Sequence, residues 1–337
     1  MHLKHRNSIK LSSLMDQNNL PYNQRYFGYV YQVLFIVTLS LQHFFGKLLF
    51  IRHTSMTSLQ MLVLRSVFAG LVFIAIMNKQ FAHYMWKSVP RAQVGDLISR
   101  VIQGLVLMVC IFNSIKYFPL VFVSLVSNLT PLLTALLSYF LLNVGLSRLD
   151  TTILLVSFVG VIILITGGQK GSNQSTLETD SYLIPSLMLI LIPLLSASVT
   201  LFIRHLRSIS EITVGSIMTF SILLLYGPVI YFTDMPNTKS LIFAFTAIDW
   251  VYALMLGLMS SIVQIAKVKA LQYEEPAKLS VLMYFQSVIQ LVLDVVFLGT
   301  MFSGQEALGV AIVFGANGVK WGIELKRVFR GRRERID

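Results

Sequence analysis

Apolar residues run for about 20 positions at a time along almost the whole of this chain. The stretches fall at roughly 28–49, 57–77, 97–117, 119–142, 152–168, 182–203, 212–232, 250–270, 277–298 and 304–323. A helix rises about 1.5 Å per residue, so about 20 residues cross the roughly 30 Å hydrocarbon core of a bilayer. Backbone in hydrocarbon must satisfy its own hydrogen bonds, which leaves helices or a closed barrel. A barrel needs short alternating strands, and these runs do not alternate. The expected fold is therefore an all-α integral membrane protein with ten transmembrane helices. Composition agrees: 12% of residues are charged and 55% hydrophobic, where a soluble domain carries about 25% charge.

Charge sets the orientation. With a cytoplasmic N-terminus, most of the 27 Lys and Arg fall on the cytoplasmic side, including Lys79, Lys87, Arg91, Arg100, Arg204, Arg207, Lys267, Lys269 and the tail from Lys320 to Arg335. The opposite side keeps Arg52, Lys170 and Lys239. The positive-inside rule thus places both termini in the cytoplasm, consistent with an even number of spans. The basic tail reads as a topology anchor, and no basic patch with interleaved aromatics suggests nucleic acid. Endomembrane and plasma membrane are not distinguished. Cys110, the single cysteine, lies in a span, so no intramolecular disulfide can form.

A polar loop at 169–181, carrying the sequon Asn173-Gln174-Ser175, divides the spans into two blocks of five, 28–168 and 182–323. The chain outside the blocks is an N-terminal tail, 1–27, and a basic tail, 324–337. Five is odd, so the second block enters the membrane upside down relative to the first. This is the arrangement of an inverted repeat enclosing a site near the midplane. A shared polar arc supports it. Ser127, Thr130, Thr134 and Ser138 occupy one narrow face of the fourth span, and adding 156 to each number gives Met283, Gln286, Gln290 and Asp294 in the ninth. Polar groups inside lipid are costly and normally face a bundle interior or a wet cavity.

The stretches Asn113-Ser-Ile-Lys-Tyr-Phe-Pro-Leu and Leu129-Thr-Pro-Leu-Leu-Thr-Ala-Leu-Leu resemble the EamA-type domain of the drug/metabolite transporter superfamily. So do Lys269-Ala-Leu-Gln-Tyr, Tyr284-Phe-Gln-Ser and Leu293-Asp-Val-Val-Phe-Leu-Gly299, together with Arg65 early in the second span. The resemblance covers nearly all of 28–323 as two five-helix units. It implies ten helices, alternating access and transport of small metabolites, with nucleotide-sugar and solute-carrier-35-like transporters among the eukaryotic relatives. The chain departs from the family where the fourth and ninth helices commonly end in Gly-Glu. Here those places read Asn143-Val144-Gly145 and Gly299-Thr300. The family proline of the ninth helix is replaced by Ser287.

The candidate substrate-binding residues are the polar ones inside spans: Arg65, Gln103, Asn113, Lys116, Thr130, Thr134, Gln264, Lys267, Gln286, Gln290 and Asp294. Glutamines offer both donors and acceptors to a polar solute, and buried cations suit a phosphate or carboxylate. Asp294 reads equally as a proton or amine site and as a structural hydrogen bond near a helix end. Gln42, His43 and Lys47 form a further polar patch on the first span, while Pro131, Pro193 and Pro228 mark bending points or static kinks. No metal-binding cluster, Walker loop or hydrolase elbow occurs, so no cofactor, metal or catalytic residue is expected. The sequence points to a transporter of small polar metabolites, nucleotide-sugar-like anions among them. Its partners are the solute and the lipid bilayer, with a homodimer left open. The alternative is a transport-inactive scaffold that keeps the fold.

Overall fold

A computed structural model describes residues 22–130, 132–134, 148–171, 180–206, 208–274 and 276–333. Helix accounts for almost all of them. We number the helices α1 (Tyr22–Arg52), α2 (Ser58–Met77), α3 (Val94–Tyr117), α4 (Leu120–Ser127), α5 (Arg148–Gly171), α6 (Asp180–His205), α7 (Glu211–Thr233), α8 (Met235–Phe243), α9 (Ala247–Tyr273), α10 (Pro276–Val292) and α11 (Gly304–Arg333). Six of these contain a segment long and apolar enough to cross a membrane: Tyr26–Arg52, Ser58–Gln80, Arg91–Tyr117, Leu183–Ile203, Glu211–Thr233 and Ala247–Tyr273. Shorter apolar segments lie in α4, α5, α10 and α11. Large apolar side chains such as Leu71, Ile102, Leu187, Leu224 and Val296 face outward, as a lipid-solvated surface requires. Ser138, Pro131, Asn143-Val144-Gly145 and the Asn173 sequon lie outside the described residues.

Helix ends follow local chemistry. Thr57 and Gln60 form a reciprocal cap on α2, and Thr246 with Asp249 forms one on α9. Between α3 and α4 the chain breaks at Phe118, whose extended backbone (φ −113°, ψ 156°) is what a residue preceding proline prefers. At its far end α10 widens into a π turn, Leu293–Phe297, and Gly299 (φ +64°) closes it in the left-handed conformation that glycine adopts most readily. The nine-residue α8 was not among the expected spans. It falls in the segment between the seventh and eighth, and Pro236 opens its first turn.

Packing crosses the middle of the chain. Helix α1 packs on α9 and α6 on α3; α9 also meets α2 as α3 meets α7; α10 touches α1 as α4 touches α6. Further cross pairs are α2 with α7, α4 with α10, α5 with α11 and, more lightly, α4 with α11. Exchanging α1–α5 for α6, α7, α9, α10 and α11 in order turns these pairs into one another, except α4 with α11. Two crossings are close enough to exclude side chains. A Cβ on Gly257 would collide with the Phe68 Cβ, and one on Gly309 would lie 2.9 Å from the Leu164 nitrogen. Small residues permit such approaches in membrane bundles.

Candidate functional site

A cavity of about 500 Å³ lies between the two groups of helices. It is walled by α1 (Gln32, Phe35, Leu39, His43), α3 (Arg100, Gly104, Leu107, Met108, Ile111), α4 and its continuation (Ser127, Thr130, Thr134) and α6 from Ile192 to Ile203. Met218 of α7, Val263, Gln264, Lys267 and Leu271 of α9, and Leu279, Met283 and Gln286 of α10 complete it. Most of this surface is apolar. On α3, α6, α7 and α9 the lining runs from mid-helix toward the end that carries Arg100, Ile203 and Leu271, so on these helices the cavity lies toward one end of the bundle.

The lining repeats with the interval seen in the sequence. Adding 156 takes Leu107 to Val263, Met108 to Gln264, Ile111 to Lys267, Ser127 to Met283 and Thr130 to Gln286, and all ten residues face the cavity. One residue more, 157, takes Phe35 to Ile192, Leu39 to Ser196 and His43 to Thr200, again all lining.

Several of these polar groups lack protein partners. The Gln264 Oε1, Gln286 Oε1, Thr130 Oγ1 and Arg100 Nε atoms are buried with no hydrogen bond among the described residues. Gln264 uses its other end, Nε2 donating to Thr219 Oγ1 at 2.8 Å. Arg100 donates through Nη1 to the Val214 carbonyl at 3.3 Å. Lys267 lies over the Phe35 ring, 5.8 Å from its centre. Thr134 returns its hydroxyl to the Thr130 carbonyl at 2.8 Å, the usual habit of threonine in a helix. Buried polar atoms are normally satisfied, so unpaired ones around a cavity call for water or a ligand.

Of the eleven expected residues, the cavity takes in Thr130, Thr134, Gln264, Lys267 and Gln286. The others sit elsewhere. Gln103 is on α3, its Oε1 buried without a partner. Arg65, 2% exposed, stacks over the Phe112 ring at 5.1 Å. Asn113 accepts from Ser58 at 3.1 Å and donates to the Met188 sulfur at 3.1 Å, tying α3 to α2 and α6. Lys116 donates to the Met56 carbonyl at 2.8 Å. The side-chain amide of Gln290 is hydrogen-bonded to Nδ1 of His43 at 2.8 Å. Asp294 accepts the backbone amides of Leu120 (3.1 Å) and Val121 (2.7 Å), capping α4. Lys47 completes the break from the other side, donating to the carbonyls of Ile115 (2.8 Å), Lys116 (3.3 Å) and Phe118 (3.1 Å) at the end of α3.

Arg100 was counted in the sequence as a flanking topology residue. In the structure it is 6% exposed and faces the cavity. Its spacing to Gly104, Leu107 and Ile111 on one helical face is the signal that would have placed it there.

The model of the EamA-like transporter family matches residues 26–166 and 183–317. The chain belongs to this family. Its members are transporters, so this EamA-like chain is an integral, multi-pass membrane protein of a small-molecule transporter family. One solved structure, titled only "Crystal structure of protein", superposes with a TM-score of 0.60 over 90% of this chain and 98% of its own, at 17% identity. That likeness shows the fold alone. No curated protein matches.

In this EamA-like chain the side of the bundle opposite the cavity is tied shut. Asp249 of α9 accepts from Nε of Arg52 and lies 3.2 Å from His53 Nε2, joining α9 to α1 and the residue after it. Gln60 of α2 donates to Asp234 (2.7 Å) and Thr238 (2.9 Å) around the start of α8.

Proposed function

We propose that this protein carries a small solute across its membrane by alternating access. Two inverted five-helix units, 28–168 and 182–323, would rock about the cavity between them, with both termini in the cytoplasm and the cavity open toward that side. One observation carries the reading: residues that match across the two halves line the same cavity, which is how a repeat-built transporter makes its site. Thr130, Gln264 and Gln286 orient the solute, and the ties around Asp249 and Asp234 close the far side. Asp294, spent on two backbone amides, is a structural cap in this scheme and not a coupling group.

Counterflow into liposomes containing the purified protein tests it. The panel comprises nucleotide sugars, nucleoside monophosphates, phosphorylated sugars, amino acids and cationic metabolites. Saturable exchange of one class, lost in a folded Thr130→Val, Gln286→Leu double variant, is the expected result. No exchange returns the chain to the scaffold reading, and exchange that the double variant leaves untouched removes Thr130 and Gln286 from the solute site.

A further inference from the structure

We infer that the cavity is built for an amphipathic organic anion, whose carboxylate or phosphate sits between Arg100 and Lys267 while an apolar body lies along the wall. The inference rests on the transport reading only in calling that anion the cargo.

Arg100 lies six residues in from the start of α3, and Lys267 six residues before the end of α9. Each is thus about 9 Å inside its helix. Both line the cavity, and each lies within range of the other's charge. Neither has an acidic partner among the described residues. Arg100 spends one long bond on Val214 and keeps a buried Nε unpaired; Lys267 has only the face of Phe35. Among the described residues, no Asp or Glu lines the cavity. Asp249, Asp294 and Glu211 are occupied by Arg52, by the α4 amides and by Lys269 respectively. Two like charges held out of bulk water without a counter-ion are unfavourable, and an anion between them offsets the desolvation cost and screens the repulsion. A guanidinium beside an ammonium suits an oxyanion's several acceptors.

The rest of the wall limits what the anion can be attached to. Phe35, Leu107, Ile111, Met218, Leu279 and Met283 offer no hydrogen bonds beyond a weak sulfur acceptor. A solute polar along its whole length, such as a nucleotide sugar, would leave hydroxyls unpaired against them. An aryl or branched-alkyl body fits, and about 500 Å³ is within the usual range for a drug-sized ligand. Gln286, Thr130 and His43 also line the cavity and offer polar atoms to that body.

Binding to the purified protein in uncharged detergent tests this, using 4-phenylbutyrate, its amide, the matching amine and a phenylalkyl phosphate. The expected order is carboxylate and phosphate well above amide, with no binding of the amine. Arg100→Gln and Lys267→Gln should each weaken the carboxylate at least tenfold and leave the weak amide binding unchanged. Arg100→Lys and Lys267→Arg should recover part of the loss, which separates charge from folding. Equal affinity for amide and carboxylate, preference for the amine, or no binding by any probe overturns the proposal. An anionic lipid headgroup carries the same chemistry. Stabilisation by phosphatidylglycerol nanodiscs over phosphatidylcholine ones, with no response to the soluble probes, would assign the cations to lipid and equally overturn it. Anion binding without flux would sink the transport reading and keep the site; flux of a neutral solute insensitive to both variants would do the reverse.

Discussion

The carboxylate of Asp294 accepts the backbone amide of Val121 at 2.7 Å across a sequence separation of 173 residues. It also takes the Leu120 amide, so a residue from α10 supplies the cap that Pro119 cannot provide for α4. Removing it leaves two buried donors without an acceptor. Asp294→Ala should therefore destabilise the protein by about 2–4 kcal/mol, and Asp294→Asn, which keeps one acceptor, by about 1 kcal/mol. Thermal unfolding in detergent measures both. Transport in the Asn variant should persist, since the side chain does not line the cavity.

Gln290 and His43 form a buried pair between α10 and α1, both at 3% exposure or less, with His43 at the cavity wall. Gln290→Leu and His43→Phe should each cost about 1–3 kcal/mol, because each strands the other's polar group. The double variant should cost less than the two together, with a coupling of about 1 kcal/mol in a double-mutant cycle.

Gly309 and Gly318 lie on the same helix in opposite circumstances. A Cβ at Gly309 meets the backbone of α5, whereas one at Gly318 meets nothing within 4 Å. Gly309→Ala should destabilise by about 1–3 kcal/mol through overpacking. Gly318→Ala should be neutral or stabilise by up to about 1 kcal/mol, since it lowers the freedom of the unfolded chain. Parallel melting curves decide.

Met283→Cys in a Cys110→Ala background puts one thiol into the cavity. A membrane-impermeant maleimide should label it from the side on which Arg100 lies and not from the other. Adding Arg52→Gln and Gln60→Leu cuts ties on the closed side, and labelling from there should rise several-fold. Labelling that never depends on side would contradict a one-sided cavity.

Six of the expected spans were legible because lipid demands long apolar runs, and those runs show directly in the sequence. Helix α8 was not: nine residues with mixed polarity resemble a loop until Pro236 and the packing of Leu241 are seen together. Thr130, Gln264, Lys267 and Gln286 could be found as polar residues inside apolar stretches. Arg100 stands where an apolar run begins, which reads as a snorkelling residue until its helical face is followed to Gly104, Leu107 and Ile111. Asp294 stood out for its polarity, but its partner is a helix start in the other half of the chain. No local pattern encodes that pairing.

Exchange of the halves carries Ile111 onto Lys267 and Met108 onto Gln264. The mould is thus nearly two-fold in outline but one-sided in charge. A passenger with a charged head has a single way to sit in it, head beside Arg100 and body toward His43. It would board at one face of the membrane tail first and leave at the other in the same posture, so the two faces would see opposite ends of the same molecule.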